Sequence, residues 1–290
     1  MLKNPLAEVF GFPTDNLSTK AERFRNNKLC PFNNRVPSCT KDKANDPLGV
    51  CSIYHHDEIV VTCPIRFRQD WLVVEDAARF FFEKNKSWTS LSEVKLTDKN
   101  GGVAGNIDLV LVAYDQRGRI TDFGSLEIQA VYISGNIRRP FENYLSNRKH
   151  SRELNWTIAN FPKPDFLSSS RKRLVPQMLY KGGILKTWKK KQAVALQRSF
   201  FDTLPELKTV KIEKADIAWL LYDLQLNKTG EQFNLIHTKT VYTEFASALK
   251  KITTPESGNV EDFVEVLQEK LDEKLDGHPP EAPTLTEIIT

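Results

Sequence analysis

The 290-residue chain contains no run of eighteen apolar side chains, so no transmembrane helix is expected. Its start, Met1-Leu2-Lys3-Asn4-Pro5, has neither the basic cluster nor the apolar stretch of an export signal. A cytoplasmic location is the expectation. Internal repeats are absent, and so is cysteine outside one short stretch that holds all four thiols. Hydrophobic residues make up 40% and charged residues 27%, a balance that fits an ordinary soluble globular protein. A chain of this length can bury a sizeable core without disulfides. Membrane spans, disulfide scaffolds and repeat arrays are thereby excluded as organising principles.

What the sequence does have is charge, unevenly placed. The net charge of +4 combines −8 over residues 256–290 with +12 over everything before them. Most of the positive charge lies in residues 136–191, where fourteen Lys and Arg face Glu142, Glu153 and Asp165. A solvated basic face is the plain reading of any charge run. A concentration of this size matches the needs of a polyanion and points to nucleic acid.

The thiols Cys30, Cys39, Cys51 and Cys63 are joined by segments rich in turn formers, among them Asn33-Asn34, Pro37-Ser38, Asn45-Asp46-Pro47 and Gly49. Such a stretch has too few apolar residues to fold unaided. Two disulfides are one reading, which reduced cytosolic thiols argue against. Four unrelated buried thiols are another, which the clustering argues against. A tetrahedral structural metal site with four cysteine ligands accounts for both number and clustering. The gaps lack the CxxC pairs of common zinc ribbons, and His55 and His56 lie inside the loop as substitutes.

Residues 70–85 read as a helix with Trp71, Val74, Ala78, Phe81 and Phe82 along one side. The aromatic run 80–82 reads as core rather than a base-stacking platform. Residues 107–114 then read as a strand with Asp108 planted near its start, and residues 123–133 as a second apolar stretch containing Leu126-Glu127-Ile128-Gln129. If Arg117-Gly118 forms a two-residue hairpin turn, paired residues have numbers that sum to 235. That register sets Asp108 opposite Glu127, roughly 5 Å apart at Cβ. Two carboxylates this close on a buried sheet repel unless a cation lies between them, and hard oxygen ligands suit Mg²⁺. Ordinary strand-edge charges paired with nearby arginines are the plainer alternative. As a phosphodiesterase, the pair would hold the metal, with the Ile128 carbonyl as a further ligand and Gln129 orienting the attacking water. Gln129 is neutral and cannot supply the positive charge that a lysine would bring, so the metal must lower the water's pKa, or a second metal or an arginine must help.

Several blocks resemble the NotI family of restriction endonucleases. Cys30-Pro31-Phe32, Ser38-Cys39-Thr40-Lys41, Gly49-Val50-Cys51 and Cys63-Pro64-Ile65-Arg66 look like that family's cysteine loop. Leu126-Glu127-Ile128-Gln129 resembles its Glu-x-Gln strand, and Asp108 matches its upstream acidic ligand. Residues 176–181 are similar to a segment on a later family helix, and residues 215–223 to a subsequent core strand. The blocks run from residue 30 to about 223. Two departures stand out: no proline precedes Asp108, and its spacing to Glu127 is tight. The resemblance implies an α/β (α+β) fold of the PD-(D/E)xK restriction-endonuclease-like type. It also implies type II cleavage of double-stranded DNA with magnesium, a homodimer acting on a palindrome, and iron on the four cysteines. The residues themselves would accept zinc as readily.

The expected organisation is an N-terminal segment with the cysteine loop over 1–66, a catalytic core with a mixed sheet flanked by helices over 67–255, and an acidic helix and tail over 256–290. Phe263, Leu267, Leu271 and Leu275 share one side of that last helix. DNA contacts are expected from Arg138, Arg139, Arg148, Lys149, Arg152, Arg171, Lys172 and Arg173, with Lys189, Lys190 and Lys191 as a phosphate clamp. Two other readings stay open: a repair or RNA nuclease of the same fold without palindromic specificity, and a DNA-binding module that cuts nothing.

Overall fold

The computed structural model describes residues 4–43, 45–150, 161–255 and 257–277. It is a mixed α+β structure whose chain falls into two units, residues 1–253 and residues 254–290. Within the first unit, strands β1 (Leu6–Val9), β2 (Phe12–Pro13), β5 (Val50–His55) and β6 (Glu58–Val61) form an antiparallel sheet in the order β2-β1-β5-β6. Helix α1 (Thr19–Asn26) and a two-strand ladder, β3 (Asp42–Lys43) with β4 (Asp46–Pro47), fill the connection. Ser18 starts α1 by accepting from the Ala21 amide, which satisfies one of the helix's free donors.

The central sheet contains β7 (Ser87–Thr97), β8 (Val103–Tyr114), β9 (Ile120–Gln129), β12 (Gln192–Gln197), β13 (Ile217–Leu226) and β14 (Phe233–Thr243), in the order β14-β13-β12-β9-β8-β7. A small ribbon pairs β10 (Tyr132–Ser134) with β11 (Lys163–Asp165). β12 runs parallel to both neighbours, and every other pair in the central sheet is antiparallel. The sequence Gln-Ala-Val-Ala-Leu-Gln of β12 is buried at every position, as a parallel strand covered on both faces must be.

One face of this sheet packs on helix α2 (Leu72–Phe81), whose Val73, Val74, Ala77, Ala78, Phe80 and Phe81 are buried at helical spacing. Gly124 of β9 belongs to that contact, because a Cβ there would sit 2.5 Å from the Phe81 ring. The helix begins two residues later than the sequence implies. Asp70 and Trp71 both take left-handed backbone angles, φ 52° and 58°, and leave Trp71 exposed rather than on the apolar stripe. Phe80 and Phe81 are core, as expected.

The hairpin between β8 and β9 differs from expectation in its turn yet agrees in its register. The connection is longer than two residues: the Asp115 amide donates to the Arg119 carbonyl, and Gly118 takes φ 75°. The Asp115 carboxylate fixes it by accepting from the Arg117 and Arg119 amides. A bulge between Ala113 and Tyr114 then absorbs the extra residue. Beyond it the pairs are Ala113 with Asp122, Val110 with Ser125 and Leu109 with Leu126, all summing to 235. The apolar stretch read as 123–133 is broken at Ala130, and β10 begins only at Tyr132.

The other face of the sheet is covered by α3 (Arg138–Ser146), by a long helical segment over residues 166–187, and by helix Phe245–Thr253. The long segment switches to i→i+5 turns over Ser170–Leu174 and again over Met178–Gly182. Pro176 lies between them; it has no N–H to give and its ring crowds the preceding turn, which favours a locally widened helix. Arg66 ties the N-terminal sheet to the rest. Fully buried, it meets Glu8 at 3.1 Å, donates to Gln69 and to the Phe233 carbonyl, and lies over the Phe32 ring.

In the second unit, helix Val260–Gly277 exposes Phe263, Leu267, Leu271 and Leu275 along one side. Among the described residues no helix is long and apolar enough to cross a membrane.

Candidate active site

Alternation along β9 turns Glu127 and Gln129 to the face opposite α2. β12 lies alongside, with Val194 level with Glu127 and Leu196 level with Gln129. From β8, Asp108 arrives at the point where the two strands part. Backbone pairing runs down to Leu109 with Leu126; one residue further, the Asp108 carboxylate accepts from the Ile128 amide at 2.9 Å. A side chain thus takes over from the strand backbone, and this leaves Asp108 beside Glu127.

The long helical segment lies over this face with one stripe turned inward: Gln177, Lys181 and Ile184. The Gln129 amide donates to the Gln177 carbonyl oxygen. Lys181 Nζ lies 2.7 Å from Glu127 Oε1 and donates to the Asn106 carbonyl at 2.8 Å. Ile184 packs against the cluster that holds Val110 and Val112, and Trp188 meets the Phe123 ring edge-on. Gly182 lets helix Phe245–Thr253 approach the segment, since a Cβ there would lie 2.5 Å from Phe245.

Glu127 is 1% exposed and neither of its oxygens has a directed hydrogen bond; its contact with Lys181 is ionic. Burial pushes its carboxyl up to about 7, helped by the negative charge of Asp108 and opposed by Lys181. Ser125 Oγ and both polar atoms of Gln192, paired across β9 and β12 on the same face, are also buried without partners among the described residues. The strip beneath the helix is therefore a row of polar groups short of partners, which favours an ion or ordered water there.

The four cysteines come together. All are free thiols, three of them buried, and all line one cavity of about 10 Å³, room for roughly a single water-sized sphere. Burial raises Cys30 to about 11, and the neighbouring Cys63 and Cys39 push it in the same direction. Burial likewise raises Cys51 well above its ordinary value, with Glu8, Cys63 and Cys30 adding to it. Among the described residues, no group of three or more His, Cys, Asp or Glu is placed to hold a metal as it stands. The thiols converge on one small space without being drawn in to ligand distance.

The basic candidates divide by what they already touch. Arg138 binds Asp42 and Asp46, each at 2.7 Å. Arg148 meets Glu22 at 2.6 Å, and Lys190 meets Asp122 at 2.6 Å. Lys191 donates to the Phe80 carbonyl, and Arg173 lies over the Tyr132 ring. Arg139, Lys149, Arg171, Lys172 and Lys189 are exposed with no ion pair among the described residues. Arg152 lies outside those residues.

Two basic residues near the carboxylates were not singled out from the sequence. Lys181 was visible only as part of a block; its spacing of four from Gln177 on a helix was the available signal. Arg68 had none. It lines a cleft of about 160 Å³ with Arg35, Trp71, Leu109 and Ile128, and no described residue gives it a hydrogen bond or ion pair. Burial and the charge of Arg35 pull its pKa down, against the pull of Asp108.

The family model described as restriction endonuclease NotI matches residues 15–235. No curated protein matches the chain.

Proposed function

The chain belongs to the NotI restriction endonuclease family, and from that premise we propose that it makes site-specific double-strand cuts in DNA by Mg²⁺-dependent phosphodiester hydrolysis. The observation that carries this reading is the meeting of Asp108 and Glu127 where β8 and β9 part, with the Ile128 amide on Asp108. Such a pair, partly buried and mutually repelling, fits a hard divalent cation. Asp108, Glu127 and the Ile128 carbonyl would hold it. When bound, the metal supplies charge stabilisation to the scissile phosphate and makes a water more acidic.

The chain's own groups do the rest. Gln129 gives one side-chain N–H to Gln177 and keeps its side-chain carbonyl oxygen to accept from the attacking water. Arg68, with no partner among the described residues and inside the field of Asp108, is placed to receive a backbone phosphate. The exposed Arg171 and Lys172 lie on the helical segment whose inner side carries Gln177 and Lys181, so one element would join phosphate binding to the carboxylates. The core is of the PD-(D/E)xK type in this reading, and a palindromic target would be cut by a homodimer. Cys30, Cys39, Cys51 and Cys63 would hold a structural iron or zinc, which their convergence on one small cavity favours.

The test is incubation of the protein with plasmid DNA, with and without Mg²⁺. Discrete fragments only with Mg²⁺ are expected. A smear would replace the reading with a non-specific nuclease, and intact DNA would overturn it. The charge assignment has its own check in binding titrations over a range of salt. Arg171→Ala with Lys172→Ala is expected to lower the slope of log affinity against log salt by about 1.8, as loss of two phosphate contacts requires. Lys190→Ala should leave that slope unchanged, because its ammonium already serves Asp122.

A further inference from the structure

We propose that Lys181 supplies the positive charge of the active site, delivered from the helical segment because Gln129 on the strand cannot provide it. The inference rests on Glu127 being the catalytic carboxylate. Lys181 is 3% exposed, and a lysine so buried is retained at a cost unless it is paired. Its pairing with Glu127, itself 1% exposed, is weak evidence of a gain in stability, since apolar residues of similar volume stabilise such positions as well or better. A cation kept there at that cost points to chemistry.

The geometry agrees. An ammonium has three donors. One is given to the Asn106 carbonyl, the contact with Glu127 at 2.7 Å is ionic, and no described group takes a further N–H. Lys181 is therefore anchored beside the carboxylate with an N–H left for the reacting phosphate. Gln177, four residues earlier, holds Gln129 from the same helix side. The strand position two residues after Glu127 and the helix position of Lys181 thus open onto one site. A lysine at either place would bring its charge to the same carboxylate.

This equivalence gives the test. Single-turnover cleavage at saturating Mg²⁺ is measured for wild type, Glu127→Ala, Lys181→Gln and the exchange variant Lys181→Gln with Gln129→Lys, with a melting curve for each. Lys181→Gln is expected to slow cleavage about 100-fold or more, the usual loss for one charge-stabilising donor. The exchange variant carries the same residues in swapped positions and is expected to regain most of that loss. If Lys181→Gln cuts as fast as wild type, the proposal falls. It falls too if the exchange variant is folded but as slow as Lys181→Gln, or does not fold, for then Lys181 is only a structural counter-ion. Should Lys181→Gln itself fail to fold, cleavage by the exchange variant alone decides. A wild-type protein that cuts nothing would bring down the nuclease reading instead, and wild-type cutting lost in Glu127→Ala upholds that reading whatever Lys181 does.

Discussion

Replacing Glu127 with alanine is expected to abolish cleavage, lowering the rate by about a thousandfold or more, while DNA binding persists or tightens. A lost metal ligand removes several kcal/mol of transition-state charge stabilisation, and each 1.4 kcal/mol is about tenfold in rate. Binding should not suffer, because the deleted carboxylate is a negative charge beside a phosphate and lies beneath the helical segment, 1% exposed. The fold should survive as well. The substitution strands the buried Lys181, which costs stability as the breaking of any buried pair does, offset in part because the deleted carboxylate's two oxygens lack directed hydrogen bonds; a melting curve measures the remainder. Single-turnover cleavage and a binding titration in Ca²⁺ measure the two halves. Cleavage near the wild-type rate would remove Glu127 from the site.

Cys51→Ser is expected to act in the opposite way, on stability rather than chemistry. The stretch from Cys30 to Cys63 has few apolar residues outside the strands β5 and β6, and its thiols share one small cavity. Structural sites with thiolate ligands carry roughly 10–16 kcal/mol of apparent binding free energy, which is folding free energy for the segment they close. A variant that loses part of it should melt about 10 °C or more below wild type, at about 2–4 °C per kcal/mol for a domain of this size. Elemental analysis should find about one iron or zinc per chain in the wild type, retained after mild chelation that strips Mg²⁺. Native protein without transition metal and with four freely reactive thiols would contradict the assignment.

How much of this was legible in the sequence depended on the kind of signal each element carries. The register of β8 on β9 was readable because alternation fixes which side chains share a face, and a slip of one residue would bury the wrong set. The turn was read as two residues when it is longer, and the bulge at Ala113–Tyr114 compensated; the inside-outside pattern dominates turn length where the strands are buried. β7 gave no signal, since most of its side chains are exposed and its alternation carries no apolar side. The helical segment over residues 166–187 was legible only as a likeness around Pro176. Two widened turns and an internal proline break the ordinary helical period, so the inward placement of Gln177 and Lys181 could not be counted off. Arg68 comes within the field of Asp108 through a tertiary arrangement that no local pattern encodes. Asp108 and Glu127 stand out in the sequence because an acidic residue on an apolar strand is locally out of place. Lys181 and Arg68 do not stand out, because one more lysine or arginine looks like any other.

The central claim is that this chain cuts both DNA strands at a defined sequence, and the most direct measurement is the sequence of the fragment ends. A known genome is digested to completion with the protein and Mg²⁺, and the ends are read. The expected result is that all ends fall at one symmetric site, with the same stagger on both strands and none in the Glu127→Ala digest. Ends scattered without a common sequence, or ends that appear equally with Glu127→Ala, would contradict the account.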